Sequence, residues 1–236
     1  MRLLVSVRDN WEAECALEAG ADLIDLKDPE AGTLGALDPN LIGAILGTVA
    51  GRQPTSATTG DLPPDPALLC AAAQRIAAAG VDYVKVGLWP GEGRTEAIMR
   101  LGAALASRTR LVGVILADVD LDLGLVPIMA DAGFAGAMLD CAGKGPSLTE
   151  RLGPAVLGQF VALCHFHGLL AGLAGSLRTA DIAPLASLGP DILGFRGGLC
   201  QGFDRRRPLD PDAVLQAATA LAAMRHAAPR AAHAAL

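Results

Sequence analysis

The lysines of this chain are its side chains best suited to covalent chemistry. There are three of them, Lys27, Lys85 and Lys144, against sixteen arginines, and each lies where a predicted β-strand ends or in the loop that follows it. An arginine keeps its charge at any useful pH, whereas a lysine amine can be desolvated, lose its proton and attack a carbonyl group. Catalytic side chains collect at strand ends in parallel barrels. The lysines therefore predict amine catalysis.

Two aspartates are placed to assist the lysines. Side chains two residues apart on a strand share a face, so Asp25 and Lys27 should point the same way. A carboxylate beside a lysine in a pocket can hold the ammonium, accept its proton or orient it, although such a pair can also be purely structural. If Lys85 lies near Lys27, repulsion lowers at least one amine pKa; the alternative is that Lys85 binds phosphate as a point charge. We expect five catalytic residues: Asp25, Lys27, Lys85, Asp140 and Lys144.

Glycine-rich segments after two further predicted strands indicate an anion site. Residues 174–177 follow the seventh strand and residues 194–198 follow the eighth. Backbone amides at these positions, with one hydroxyl and one guanidinium, can bind phosphate, and barrels commonly bind it there. Polar residues that end the third strand are further candidates, although Thr-Gly-Asp is also a common turn. The residues expected to bind substrate or phosphate are Ser56, Thr58, Gly175, Ser176, Arg196, Gly197 and Gly198.

The elements that must position these residues form a repeating pattern. Short Leu- and Val-rich runs alternate eight times with Ala/Leu-rich helical stretches, which predicts an α/β fold, a single (β/α)8 TIM barrel. An open doubly wound sheet is the alternative, but no G-x-G-x-x-G follows the first strand. We place the barrel at residues 1–225 and a disordered tail at 226–236. The predicted strands are 3–7, 22–27, 55–59, 82–88, 110–117, 136–140, 169–175 and 191–196. The predicted helices are 11–18, 40–49, 66–79, 92–106, 124–132, 153–167, 179–188 and 211–223.

The composition narrows the classes of function. The net charge of −6 argues against nucleic-acid binding, and no apolar run reaches the length of a membrane span. Five cysteines without metal-site spacing indicate reduced thiols, so we expect a cytoplasmic protein with no metal and no cofactor. The arginines at 205–207 are interpreted as a solvated face or a subunit contact of a homo-oligomer.

Several motifs together resemble one family. They are 22–29 (DLIDLKDP) with Gly32, 34–36 (LGA), 56–61 (SATTGD), 83–88 (YVKVGL), 139–144 (LDCAGK) and 173–176 (LAGS). The chain is similar over residues 1–225 to the (5-formylfuran-3-yl)methyl phosphate synthases, whose fold is a class I aldolase-like barrel. By position, Lys27 resembles the Schiff-base lysine and Lys85 the acid/base lysine, with Asp25, Asp140 and Lys144 in support.

The resemblance implies a specific reaction. Two molecules of glyceraldehyde 3-phosphate condense to 4-(hydroxymethyl)-2-furancarboxaldehyde phosphate with loss of phosphate and water, in the biosynthesis of methanofuran or an analogue. A phosphorylated triose would then be the small-molecule partner. From the residues alone, three alternatives stay open. They are a Schiff-base aldolase or transaldolase acting on another sugar phosphate, an epimerase or decarboxylase without a covalent step, and a non-catalytic phosphosugar-binding barrel.

Overall fold

Eight parallel strands close into a barrel in the order of the sequence. The computed structural model of the protein describes residues 1–143 and 145–227, and in it each strand pairs with the next while β8 pairs with β1. The strands are β1 (Arg2–Val7), β2 (Leu23–Leu26), β3 (Thr55–Thr58), β4 (Tyr83–Gly87), β5 (Arg110–Leu116), β6 (Gly136–Asp140), β7 (Leu170–Leu173) and β8 (Ile192–Phe195). The predicted (β/α)8 barrel is confirmed, and each strand lies within two residues of its predicted bounds.

The helices follow the strands and begin at recognisable caps. Aspartate side chains accept backbone N–H bonds at the starts of the first three helices, and proline occupies the first turn of the second and third. The helices are α1 (Asn10–Glu18), α2 (Pro39–Val49), α3 (Pro66–Ala78), α4 (Arg94–Leu105), α5 (Leu125–Asp131), α6 (Leu148–Arg151), α7 (Pro154–Phe166), α8 (Ile182–Ala186) and α9 (Pro211–Ala227).

Three details differ from the sequence prediction. The one-turn helix α6 was not predicted; a capping box between Ser147 and Glu150 stabilises it locally, without the long periodic pattern that reveals a helix in a sequence. The predicted helix 179–188 is divided into a 3₁₀ turn, Thr179–Asp181, and the short α8. Helix α9 continues to Ala227, two residues past the predicted end of the barrel; the rest of the predicted tail, 228–236, lies outside the described residues.

Alternation along the strands separates two apolar layers and aims the polar residues inward. Ile24 packs in the layer between sheet and helices, whereas its neighbour Leu23 packs inside the barrel. Because side chains alternate, Asp25 and then Lys27 follow Leu23 on the inner face. The barrel thus presents its charged residues at the C-terminal ends of the strands.

Within residues 1–143 and 145–227, no helix combines the length and apolarity needed to cross a bilayer.

Candidate active site

Two lysines and two aspartates lie together at the mouth of the barrel. Lys27, Lys85 and Asp140 all line a cavity of about 460 Å³, and Asp25 lies fully buried beneath it. Lys27 and Asp140 are each 7% exposed and Lys85 is 3% exposed, so all four charges are largely removed from water. A cavity of this size matches the range of small-molecule sites. Three of the strand-end residues singled out in the sequence, Lys27, Lys85 and Asp140, therefore share one pocket.

Lys85 is held firmly by Asp25. Its Nζ lies 3.1 Å from both carboxylate oxygens of Asp25, and these oxygens also accept hydrogen bonds from Ser6 Oγ at 2.8 Å and Ser56 Oγ at 2.6 Å. Burial alone would raise the pKa of Asp25, but the charges of Lys85 and Lys27 and the two hydroxyl bonds outweigh it and hold that pKa below its usual value. Asp25 is therefore an ionised carboxylate at the floor of the pocket.

Lys27 is less constrained than Lys85. Its nearest carboxylate oxygen is Asp140 Oδ2 at 3.7 Å, beyond hydrogen-bonding distance, and its Nζ donates no hydrogen bond to any residue that the structure describes. Burial lowers the pKa of the Lys27 amine, and the charges of Lys85 and Arg205 lower it further, although Asp140 and Asp25 oppose the shift. The predicted effect of one lysine on the other is thus present. A lower pKa increases the neutral fraction of the amine, which is the form that can attack a carbonyl group.

The prediction that Asp25 assists Lys27 directly was wrong in one respect. Asp25 and Lys27 share a face as predicted, but Asp25 makes its bonds to Lys85 on β4 rather than to Lys27. Thr58 pairs with Lys85 in the strand register and Ser56 pairs with Asp25, so Lys85 starts one layer above the carboxylate. Its long flexible stem reaches down to that carboxylate. Sequence spacing within one strand could not reveal this contact across strands.

The hydroxyl groups of Ser56 and Thr58 on β3 donate hydrogen bonds within the protein and do not face the cavity. Ser56 Oγ donates to Asp25, Thr58 Oγ1 donates to the carbonyl of Gly35 at 2.8 Å, and neither residue lines the pocket. The expectation that Ser56 and Thr58 contact substrate is therefore not met by this geometry; they hold the Asp25 carboxylate and the loop after β2. Lys144, the third predicted lysine, lies outside the described residues, although its neighbours Gly143 and Gly145 line the cavity.

Glycine-rich turns after β7 and β8 form a second part of the cavity. Gly175, Ser176, Gly197 and Gly198 all line it, as their positions in the sequence suggested. Ser176 adopts a left-handed φ of +53°, which is uncommon outside glycine and often marks functional sites. Among the described residues, the amides of Ser176, Gly197 and Gly198 donate to no internal acceptor. Free amides that converge on a cavity can bind an anion.

The side chain of Arg196 makes its hydrogen bonds within the protein, contrary to its predicted contact with phosphate. It pairs with the fully buried Glu12 of α1 and also donates to the carbonyls of Ser6, Arg205 and Arg207. A guanidinium carries five N–H groups, and these contacts use all five. The physical reason is that a buried carboxylate on α1 requires a cation, and Arg196 is the side chain that supplies it. Arg196 therefore lines the cavity, but its side chain ties the loop after β8 to α1.

We predict that Gly198→Ala weakens anion binding in the cradle formed by the turns after β7 and β8. A Cβ at Gly198 would lie 2.0 Å from the carbonyl oxygen of Leu177, so the two turns must separate. Losing one charge-assisted bond should raise the dissociation constant for inorganic phosphate about tenfold or more, measured by calorimetry. Gly197→Ala is the matched control, because its Cβ would meet only ordinary contacts from 3.5 Å. Equal affinity of the two variants would argue against a cradle at Gly198.

Two positions at the cavity were missed in the sequence. Arg178 and Arg205 line the cavity, and Arg178 stacks on the ring of Phe203 at 4.4 Å. Arg205 belongs to the run that we interpreted as a solvated face, yet it is half-buried. Nothing local in the sequence distinguishes Arg205 from its neighbours. Asp61, one of the polar candidates at the end of the third predicted strand, does not line the cavity and instead accepts N–H bonds from Thr33 and Leu34 in the loop after β2.

Comparison with known proteins identifies sequence relatives over most of the chain. A family model described as 4-HFC-P synthase matches residues 3–218. A protein of Methylorubrum extorquens is 49% identical over 94% of this chain and 92% of its own length; its assignment as a (5-formylfuran-3-yl)methyl phosphate synthase is provisional. The (5-formylfuran-3-yl)methyl phosphate synthase of Methanopyrus kandleri is 41% identical over 87% of this chain and 92% of its own length. That of Methanosarcina mazei is 37% identical over 86% and 92%.

Solved structures share the architecture at low sequence identity. The 3-hexulose-6-phosphate synthase of Salmonella typhimurium superposes with a TM-score of 0.70 at 16% identity, covering 95% of this chain and 100% of its own. The phosphoribosyl anthranilate isomerase of Thermus thermophilus gives 0.67 at 17% identity, with the same coverages. At these identities the likeness concerns the fold alone.

Proposed function

The chain belongs to the 4-HFC-P synthase family, and we propose that it condenses two molecules of glyceraldehyde 3-phosphate to 4-(hydroxymethyl)-2-furancarboxaldehyde phosphate through an imine on Lys27. The product would serve the biosynthesis of methanofuran or an analogue. The observation that carries the mechanism is the contrast between the two lysines. Lys85 is bound at two points to a carboxylate, whereas the Nζ of Lys27 faces the cavity without a hydrogen bond to a described residue.

The first step in this proposal is attack by the Lys27 amine on the aldehyde carbon of one triose. The amine must be neutral to attack, and burial lowers its pKa in the required direction. A carbinolamine forms and then loses water to give the imine. The protonated imine withdraws electrons from the adjacent carbon, so that carbon can lose a proton and attack the second triose, without a metal or an organic cofactor.

Proton transfers in the proposal are assigned to Lys85 and Asp25. The 3.1 Å contacts between Lys85 Nζ and both Asp25 oxygens provide a short path between a donor and an acceptor. Asp140, 3.7 Å from Lys27, lies beside the nitrogen that becomes the iminium and can stabilise its positive charge. Lys144 stays a candidate for a mobile acid or an anion-binding group in the loop after β6.

The free backbone amides beside the cavity support the same substrate class. Both trioses are anionic, so the reaction needs two places for a phosphate group, one of which departs as a product. The free amides of Ser176, Gly197 and Gly198 suit the first of these, because phosphate oxygens accept several N–H bonds at once. The cavity of about 460 Å³ lies within the range expected for small-molecule ligands.

Incubation of the purified protein with glyceraldehyde 3-phosphate tests the proposal directly. We expect an ultraviolet absorption from a conjugated furan aldehyde to increase with time, one phosphate to be released for each product, and mass spectrometry to identify the phosphorylated furan. An acyclic sugar phosphate of six carbons without phosphate release would instead identify an aldolase. Absence of any turnover, with the triose still bound, would favour a binding protein.

A further inference from the structure

Arg205 is one of the cations that line the cavity without a role in the mechanism just described. Among the residues that the structure describes, two buried side-chain nitrogens lack a hydrogen-bond partner, Trp89 Nε1 and Arg205 Nε. Trp89 does not line the cavity, whereas Arg205 does. Arg205 also influences the reacting groups, because its charge lowers the pKa of the Lys27 amine, to which burial is the larger contribution. An unsatisfied guanidinium beside the nucleophile needs an explanation.

The position of Arg205 is fixed from both ends of the residue. Its carbonyl oxygen accepts a 2.9 Å hydrogen bond from Arg196 Nε, which is itself anchored to the buried Glu12. Its Nη2 donates to the carbonyl of Gly32 at 2.6 Å and more weakly to that of Thr33 at 3.4 Å. The side chain thus spans from the loop after β8 to the loop after β2. Such pre-organisation costs little entropy when a ligand binds.

The remaining nitrogens of Arg205 are available to a ligand. Nε has no partner, and Nη1 donates to no residue within 1–143 and 145–227. Burial lowers the pKa of Arg205 even though the charge of Asp140 opposes this, but an arginine stays protonated at any working pH. A partly desolvated cation with unused donors is unfavourable in isolation, and an anion placed against it removes that cost.

We propose that Arg205 binds the phosphate group of the second triose, on the β2 side of the cavity and apart from the amide cradle of β7 and β8. This inference rests on the proposed function, which requires two anionic substrates in one pocket. Arg205 lies near enough to Lys27 and Asp140 for their charges to interact, so a triose anchored there can present its carbon chain to the nucleophilic carbon next to the iminium carbon on Lys27. In this arrangement Arg196 is a positioning residue that acts through Arg205.

Calorimetric titration with glycerol 3-phosphate tests the site without catalysis. This probe has the triose phosphate's anion and carbon chain but no carbonyl group, so it cannot form an imine. We expect two equivalents to bind each wild-type chain. Arg205→Met should weaken the second equivalent about tenfold to a hundredfold, the range for one charge-assisted contact, and leave the first equivalent unchanged. A single equivalent in the wild type would overturn the proposal, even if the furan product is formed.

Arg207→Met is the matched control. It removes the same charge from the same loop, but Arg207 is exposed and does not line the cavity, so both equivalents should bind as in the wild type. Equal weakening by the two variants would show a general charge effect and reject a site at Arg205. If Arg205→Met fails to fold, Arg205→Lys can be measured in its place. Lysine keeps the positive charge but lacks the guanidinium group that donates to the carbonyl of Gly32. If the second equivalent of glycerol 3-phosphate bound this variant with unchanged affinity, the site would also be rejected.

Discussion

Lys27→Arg should abolish covalent trapping and reduce turnover about 10⁴-fold or more, the magnitude found when a nucleophile is removed. Arginine keeps the positive charge beside Asp140 but cannot form an imine, so the change separates a covalent role from an electrostatic one. Borohydride added with glyceraldehyde 3-phosphate should attach a triose-derived mass to the peptide that contains Lys27 in the wild type. The same treatment of Lys27→Arg should leave the protein unmodified, as measured by peptide mass spectrometry.

Lys85→Ala is the control for that experiment. It removes the other buried lysine and should retain the adduct on Lys27 while losing turnover, because proton transfer fails after the imine has formed. The neighbouring charge that helps to lower the pKa of Lys27 is lost as well, so trapping should need a higher pH than in the wild type. An adduct found on Lys85 alone, or substantial turnover by Lys27→Arg, would reject the assignment of the two lysines.

Glu12→Gln should destabilise the protein by about 3–5 kcal/mol, the cost of leaving a buried charge without its partner. Glu12 is fully buried, and its two carboxylate oxygens accept bonds from Arg196 and from the amides of Arg8 and Leu209. Arg196 cannot relieve the loss by releasing its proton. For a chain of this size the melting temperature should fall by roughly 2–4 °C for each kcal/mol. Thermal unfolding followed by circular dichroism measures the shift.

Glu14→Gln provides the comparison on the same helix. Glu14 also pairs with an arginine, Arg52, at 2.5 Å, but both side chains are about half exposed. Exposed pairs contribute little because water and salt screen them, so this variant should melt like the wild type. If the two variants had the same melting temperature, the ion pair between Glu12 and Arg196 would not be what fixes the loop after β8.

The parts of the molecule that sequence could predict are those set by short-range patterns. Alternation fixed the inner face of β2, and it correctly placed Leu23, Asp25 and Lys27 on one side. The glycines after β7 and β8 were found because tight turns leave a local signature. Gly198 is the clearest case, since a side chain there would collide with the Leu177 carbonyl.

Contacts between elements that are far apart in the sequence could not be predicted from it. Arg196 and Arg205 have the same side chain, lie nine residues apart and follow the same strand. One is bound to a carboxylate on α1, and the other reaches the cavity. Nothing in their neighbourhood in the sequence separates them, because the difference depends on Glu12, which is 184 residues from Arg196. The same limit explains why Asp25 was paired with Lys27 rather than with Lys85.

The pairing of β1 with β8 also has a consequence for how the enzyme is made. Among the described residues, the two lysines that line the pocket belong to the first half of the chain, whereas the turns of the proposed phosphate cradle and Arg205 belong to the last third. During synthesis on the ribosome, the chain therefore contains these two amines long before it contains the groups of the proposed cradle and Arg205. Only when β8 docks against β1 and Arg196 reaches Glu12 are both sets assembled. If the proposed sites are correct, a nascent chain can hold a sugar phosphate only after translation has passed the last strand.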